Sequence, residues 1–343
     1  MNIDNFTDTI KACRFCFMCR HLSGVGNVTF READTPRIRA AFIDGITRDK
    51  SLLSNADFIE AVYSSDMSAA CRFHCVKHYD ENGLMLAFRR DIVEAGFAPD
   101  DVKALAEELI KASGAPKISG RGDVLYLETA DLPSEAKAFA KIMKSAGVKY
   151  AVAENCLAGK ELLTLGYFDA AKKAMSDFAD AVKASGAKII AVSDTALYDS
   201  LANDSRALGV KISPKVMHSS EYILSLKLKY SKAAGRLYYL ESDYLKNYCQ
   251  SCAFPKELLK KLKAELVEFG TNNEESYTCA EGAVVLEKLR PAIVKKMAEY
   301  IRERADDAAK DKFAVASPYT AAMLSKHCAL KVSTLTEIAA SCL

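Results

Sequence analysis

Asp123-Val124-Leu125-Tyr126-Leu127-Glu128-Thr129 returns later in the chain as Arg236-Leu237-Tyr238-Tyr239-Leu240-Glu241-Ser242. Each copy reads as a buried strand. A second pair follows the same interval, Lys188-Ile189-Ile190-Ala191-Val192-Ser193 against Lys312-Phe313-Ala314-Val315-Ala316-Ser317. Two copies of one α/β unit of about 110 residues account for both matches. Strands are expected at Val124–Leu127, Tyr150–Ala153, Lys188–Val192, Leu237–Leu240 and Phe313–Ala316. Helices lie between them, including 134–146 and 169–185, whose Lys- and Glu-rich faces read as solvated. Strand alternating with helix predicts an α/β architecture with a largely parallel sheet.

Upstream of the repeats the pattern is helical. Asp34-Thr35-Pro36 suits a helix start, with Pro36 in the first turn and Ile38, Ala41, Phe42 and Ile46 at helical spacing. Further helices are expected over Asp57–Tyr63, 80–95 and 99–113. Ser113-Gly114-Ala115-Pro116 then breaks the chain, and a linker is placed at 114–121.

The 343 residues are 50% hydrophobic and 27% charged, the composition of a globular protein of two or three domains. A net charge of +2 gives no bulk attraction to nucleic acid or an anionic membrane. No apolar stretch reaches the roughly 20 residues of a membrane span. Met1-Asn2-Ile3-Asp4-Asn5 does not read as a signal peptide, so a cytoplasmic location is expected. Eleven cysteines are many for such a chain. A reducing cytoplasm disfavours disulfides, which leaves ligands, reactive groups or buried small hydrophobes.

Spacing separates these roles. Cys13-x2-Cys16-x2-Cys19 sets three thiolates on one tight loop, as for three corners of an iron–sulfur cubane. Soft thiolates also bind zinc, so the triad alone leaves that alternative open. The position three residues beyond Cys19 is Ser23, so a fourth ligand must come from elsewhere. A second run, Ser65-x2-Ser68-x2-Cys71-x3-Cys75, repeats the four-ligand spacing with serine at its first two positions. In two-cluster ferredoxins the last cysteine of each run serves the other run's cluster. Crossing the runs here gives Cys13, Cys16, Cys19 and Cys75 for one cluster, and Ser65, Ser68, Cys71 and Ser23 for the other. The losses fall on a single cluster, which predicts one [4Fe–4S] centre closed by Cys75. Cys71 is the alternative fourth ligand, and His74 and His78 read as structural or exposed.

Cys13-Arg14-Phe15-Cys16-Phe17-Met18-Cys19-Arg20-His21, Gly26-Asn27-Val28-Thr29 and Glu32-x-Asp34-Thr35-Pro36-Arg37-x-Arg39 resemble the iron–sulfur subunits related to heterodisulfide reductase. That group includes the iron–sulfur subunits of glycolate oxidase, lactate-utilisation and N-methyl amino acid demethylase systems. The resemblance implies an N-terminal α-helical ferredoxin-like [4Fe–4S] domain over 1–118 and two α/β units of the Cys-Cys-Gly type over 119–230 and 231–343. The cluster ligands of those units are largely gone. Cys156 alone survives in Glu154–Gly159, and neither Glu128-Thr129 nor Asp194–Leu197 holds a cysteine. In the second unit Asp243 stands at a cysteine position, Cys279 alone survives in Ser276–Gly282, and Ser317-Pro318-Tyr319-Thr320 replaces a late Cys-Pro-x-Cys. Disulfide reductase activity is therefore not carried over.

The expected function is an electron-transfer subunit that relays single electrons through one [4Fe–4S] cluster. The resemblance implies a flavin on a partner, either a flavoprotein oxidoreductase subunit or an electron-transfer flavoprotein, rather than on this chain. Two alternatives stay open. One is a catalytic reductase subunit whose site in the C-terminal repeats uses Cys249, Cys252, Asp243 or His218. The other is a scaffold whose cluster is structural. Cys249-x2-Cys252 has metal-ligand or redox spacing and would need Cys156 or Cys279 nearby to hold zinc. Cys328 and Cys342 read as isolated thiols.

Overall fold

Val124–Leu127 and Gly235–Leu240 are the first parallel strands of two separate sheets, in a computed structural model that describes residues 1–249, 252–270, 275–305, 307 and 312–343. The strands are β1 (Lys117–Gly120), β2 (Val124–Leu127), β3 (Tyr150–Glu154), β4 (Ile189–Val192), β5 (Lys215–His218), β6 (Gly235–Leu240), β7 (Ala264–Val267), β8 (Lys312–Val315) and β9 (Val332–Thr334). The first sheet runs β1-β3-β2-β4-β5 and the second β7-β6-β8-β9. Every pairing is parallel except β1 with β3. With β1 set aside, both sheets share one order: second, first, third, fourth. The sequence repeat is thus a repeat of topology, and the two matched segments supply the first and third strands of each sheet.

The central strands are apolar without alternation because both faces are covered. Leu125, Leu127, Ile190 and Val192 pack on Met175, Phe178 and Val182 of the helix Phe168–Ser185. The opposite face, with Tyr126 and Ala191, shares a core with Leu237, Tyr239 and Ala314 of the second sheet. Helices Pro133–Ala146 and Leu335–Cys342 lie in that middle layer and pack on each other. The second sheet's other face, Tyr238, Leu240, Phe313 and Val315, joins a continuous core with Val25, Val28, Tyr63, Leu84 and Phe88 of the N-terminal helices. The helical region, first in sequence, therefore continues the core of the second sheet.

That region comprises Thr7–Ala12, Gly24–Thr29, Pro36–Arg48, Ala56–Tyr63, Ala70–His74, Glu81–Glu94 and Asp100–Ala112, with short 3-10 turns between them. Asn55 caps one helix by accepting from the amides of Asp57 and Phe58 at 3.0 and 3.1 Å, and Pro36 opens another. Arg39 and Glu81 are buried at 1% and 5% exposure and form an ion pair of 2.5 Å. Arg89, also buried, donates to the carbonyls of Val62 and Thr164 at 2.7 and 2.8 Å, joining the helices to the first repeat.

The expected linker at 114–121 is corrected: it contains β1, an exposed edge strand antiparallel to β3, with Lys117 opposite Glu154. Its exposure leaves no apolar pattern to read. β5, β7 and β9 were likewise outside the expected strands. Among the described residues no helix is long and apolar enough to cross a membrane.

Gly166 ends the helix Lys160–Leu165 at φ +96°, and a Cβ there would lie 2.5 Å from the backbone carbonyl of Arg89. Gly186 ends its helix at φ +71° with open space around it. Gly166→Ala is predicted to cost more than about 2 kcal/mol and Gly186→Ala about 1 kcal/mol, read as urea midpoints. Equal losses would contradict the close approach of the two segments.

Candidate metal centre

The helix Thr7–Ala12 stops at Cys13, which turns extended and begins the cysteine loop. Phe15 has a positive φ of 52° and donates its amide to Cys13 Sγ at 3.4 Å. Cys16 is exposed, while Cys13 and Cys19 are half-buried. The second segment is the short helix Ala70–His74, with Cys71 inside it and Cys75 as its C-terminal cap. Cys13, Cys16, Cys19, Cys71 and Cys75 all line one cavity of about 80 Å³. Two segments far apart in sequence thus bring all five predicted cysteines together.

Burial, followed by the charges of Cys75 and Cys16, pushes the Cys13 thiol up. Burial and then the Glu81 carboxylate push Cys19 up to about 11. Thiols destabilised as anions first by burial and then by neighbouring negative charge suit a site that is completed by a cation-rich group. Among the described residues no three His, Cys, Asp or Glu side chains converge on a single-ion site. A cubane gives each thiolate its own iron, and soft thiol sulfurs spread around one cavity suit that arrangement.

Cys71 differs from the other four. It is 4% exposed and donates to Glu81 Oε2 at 3.4 Å, and Glu81 is held by Arg39. Burial, and after it the Glu81 carboxylate, hold its thiol well above the usual range. A thiolate at Cys71 would face a buried carboxylate. Among the described residues no carboxylate is hydrogen-bonded to Cys75, which favours it as the fourth ligand.

The serines that stand at the ligand positions of the second run and at position 23 are engaged otherwise. Ser23 caps the helix Gly24–Thr29 by accepting from the Gly26 amide at 3.0 Å, and it donates to the Asp34 carbonyl at 2.8 Å. Ser65 accepts from the Met67 amide at 3.2 Å. Asp66 accepts from the amides of Val25 and Ser68. The second repeat clamps this loop: Asn247 donates to the Ser68 carbonyl at 2.7 Å and Tyr248 to that of Met67 at 2.6 Å. A Cβ on Gly282 would lie 2.3 Å from the same Met67 carbonyl oxygen. A void beside Gly24, Thr278 and Met297 measures about 10 Å³, the room of one water.

A larger cavity, about 310 Å³, opens where β2 and β4 end, at the point where the strand order reverses, the usual ligand position of such sheets. Thr129, Cys156, Asp194, Glu281, Ser317 and Tyr319 are among its lining. Glu281 is buried and accepts from Thr195, from Ser242 at 2.7 Å and from the Asp243 amide at 3.2 Å. Asp243 Oδ2 accepts from Thr278 at 2.6 Å and the Gly282 amide at 3.1 Å, while Oδ1 has no partner among the described residues. Burial, and for Glu281 then the neighbouring Asp243, raise these carboxyls to about 7 for Asp243 and about 8 for Glu281. Cys156 donates to the Ala153 carbonyl at 3.2 Å, and Cys279 is fully buried outside the lining. Carboxyls and hydroxyls, rather than thiolates, furnish the ends of these strands.

The remaining candidates stand apart. His218 is buried, with Nδ1 2.7 Å from Ser220 Oγ and Nε2 3.1 Å from the Ser193 carbonyl. Burial lowers it to about 4, so it is a neutral structural group. Cys249 and Cys252 are half-buried and flank two residues outside the described ones; neither gains a third ligand among the described residues. Glu81 and Glu281 were missed in the sequence. Glu81 directly follows the capping Asp80, where an acid reads as a favourable first-turn charge, and Glu281 sits between Cys279 and Gly282 in a motif read for its cysteine.

No protein-family profile and no curated protein matches the chain. Its fold is similar to the crystal structure of a hypothetical protein from Helicobacter pylori, with a TM-score of 0.61 and 11% identity over 90% of this chain and 67% of that one. PH1733, an aspartate racemase homologue from Pyrococcus horikoshii OT3, aligns with a TM-score of 0.29 and 12% identity over 64% of this chain and 95% of that one, too slight a likeness to carry an argument. The first similarity speaks to fold alone.

Asp243 and Glu281 generate a pH dependence. Unfolded, they lose their protons near 3.8 and 4.5; folded, they hold them to about 7 and 8. Over that window the native chain binds more protons, so stability falls as pH rises and the loss is complete above about pH 8. Asp66, Asp194 and Glu135, raised first of all by burial, act in the same sense. Urea midpoints should decline from about pH 5 to about pH 8, and Asp243→Asn should flatten the decline. An unchanged slope in that variant would contradict the assignment.

Proposed function

We propose that the chain is a one-electron relay, the iron–sulfur subunit of a flavin-dependent oxidoreductase, with a single [4Fe–4S] cluster held by Cys13, Cys16, Cys19 and Cys75. The observation that carries this reading is the shared cavity of five cysteines, from which Glu81 withdraws Cys71 and leaves four. When bound, the cluster would supply a one-electron couple. The chain's own part is to hold the four sulfurs, to donate the Phe15 amide to Cys13 Sγ, and to leave Cys16 open to solvent on the side a partner can approach.

On this reading the helical region is a ferredoxin-like domain that has lost its second cluster. The two α/β units are degenerate members of the Cys-Cys-Gly type, with their cluster positions taken by Asp243, Ser317, Thr320 and similar groups. The chain is then a cytoplasmic member of the heterodisulfide reductase-related iron–sulfur subunits. The flavin belongs to a partner, either an oxidoreductase subunit or an electron-transfer flavoprotein.

Anaerobic reconstitution followed by stepwise reduction with photoreduced flavin tests the proposal by EPR. A paramagnetic signal should appear on reduction and vanish on reoxidation. Cys75→Ala should lose most of it and Cys71→Ala should keep it. The opposite pair of results would overturn the ligand assignment, and substrate turnover by the isolated chain would contradict the relay.

A further inference from the structure

We infer that the face around the cysteine cavity is a docking surface for an acidic redox protein, an inference that rests on the reading of Cys13, Cys16, Cys19 and Cys75 as a cluster site. Four large apolar side chains stand exposed on the cysteine segments: Phe15 at 41%, Phe17 at 71%, Met18 at 52% and Val76 at 82%. Such groups scattered singly need no explanation, but these flank the ligands of one cavity, with Met18 and Val76 in its lining. Phe17 has a cation–π partner: the Arg37 guanidinium lies 4.4 Å from its ring centroid. Phe15 keeps a backbone conformation that costs free energy for a bulky residue, and it does so beside the ligands.

Charge commits the surface to one kind of partner. Among the described residues, the charged side chains lining the cavity besides the cysteines are Arg14, Arg37 and Lys77, and all are cationic. Residues 11–37 and 71–80 hold seven Lys and Arg against three Asp and Glu, whereas the whole chain holds 47 against 45. The excess is local. Of those three acids, Glu32 is paired with Arg20 and Arg37 at 2.7 Å each and Asp34 is buried. Exposed apolar groups interspersed with cations around one cavity suit a protein interface, and the complement is a protein with an acidic face around an exposed prosthetic group. Cys16, exposed in the middle of this face, puts the ligand sphere within reach of that partner.

The test uses the full chain, reconstituted anaerobically, with cluster content fixed by absorption and iron analysis. A flavodoxin, as an acidic flavoprotein, and cytochrome c, as a basic haem protein, are titrated calorimetrically against it, and electron exchange is followed by stopped flow. The flavodoxin should bind more tightly and weaken at least tenfold between about 20 mM and about 300 mM salt. Lys77→Glu should weaken it about tenfold at low salt, and Phe17→Ala several-fold at every salt concentration. Preference for cytochrome c, or affinities indifferent to salt and to both variants, would overturn the docking surface. So would a Lys77→Glu variant that shifts the cluster potential but leaves the flavodoxin Kd unchanged, since the cations would then serve the cluster charge alone. A chain that takes up no iron overturns the cluster reading and this surface with it.

Discussion

The buried contact of Arg39, Glu81 and Cys71 organises the N-terminal region. Arg39 comes from the helix Pro36–Arg48, Glu81 from the helix Glu81–Glu94, and Cys71 from the short helix between the serines and Cys75. Arg39 also donates to the Asp34 carbonyl at 2.9 Å, the same carbonyl to which Ser23 donates. Removing one partner of such a pair leaves a buried charge and costs about 3–5 kcal/mol. The contact therefore fixes three helices relative to one another and at the same time decides which thiol of the second segment is free. Spacing and this contact favour Cys75 by separate routes, one from the register of the two runs, the other from the carboxylate against Cys71.

What was legible in the sequence follows from burial. β2 and β6 could be read because they are central strands of parallel sheets, and both faces must be apolar. The order of layers could not. Nothing in the sequence says that the helices of residues 1–112 pack on the outer face of the second sheet, because that contact joins residues such as Val28 and Phe313, each of which reads only as core. β1 and β7 lie at sheet edges with much of their length exposed, and β9 has three residues, too short for a period. The cysteine positions were legible because ligand spacing is local. Glu81 and Glu281 were not, because their effect depends on what other segments bring against them.

The two halves of the molecule engage their hydroxyls and carboxyls in one manner. In the helical region Ser23, Ser65 and Ser68 turn their hydroxyls or backbones to caps and tight turns, and Asp66 binds the amides of Val25 and Ser68. In the second repeat Asp243 binds Thr278 and the Gly282 amide, and Glu281 gathers Ser242 and Thr195. Asp66 and Asp243 lie on either side of one seam, where Gly282 packs on the carbonyls of Asp66 and Met67 and donates its amide to Asp243. Hydrogen-bonded side chains thus join the helical region to the second repeat. One set of sulfurs, around the cavity of Cys13, Cys16, Cys19 and Cys75, stays open.

The proposed relay holds one cubane and no second metal. Iron and acid-labile sulfide, measured on anaerobically purified chain, test that claim most directly. About four irons and four sulfides per chain are predicted. About eight irons, or a single zinc with no sulfide, would contradict it.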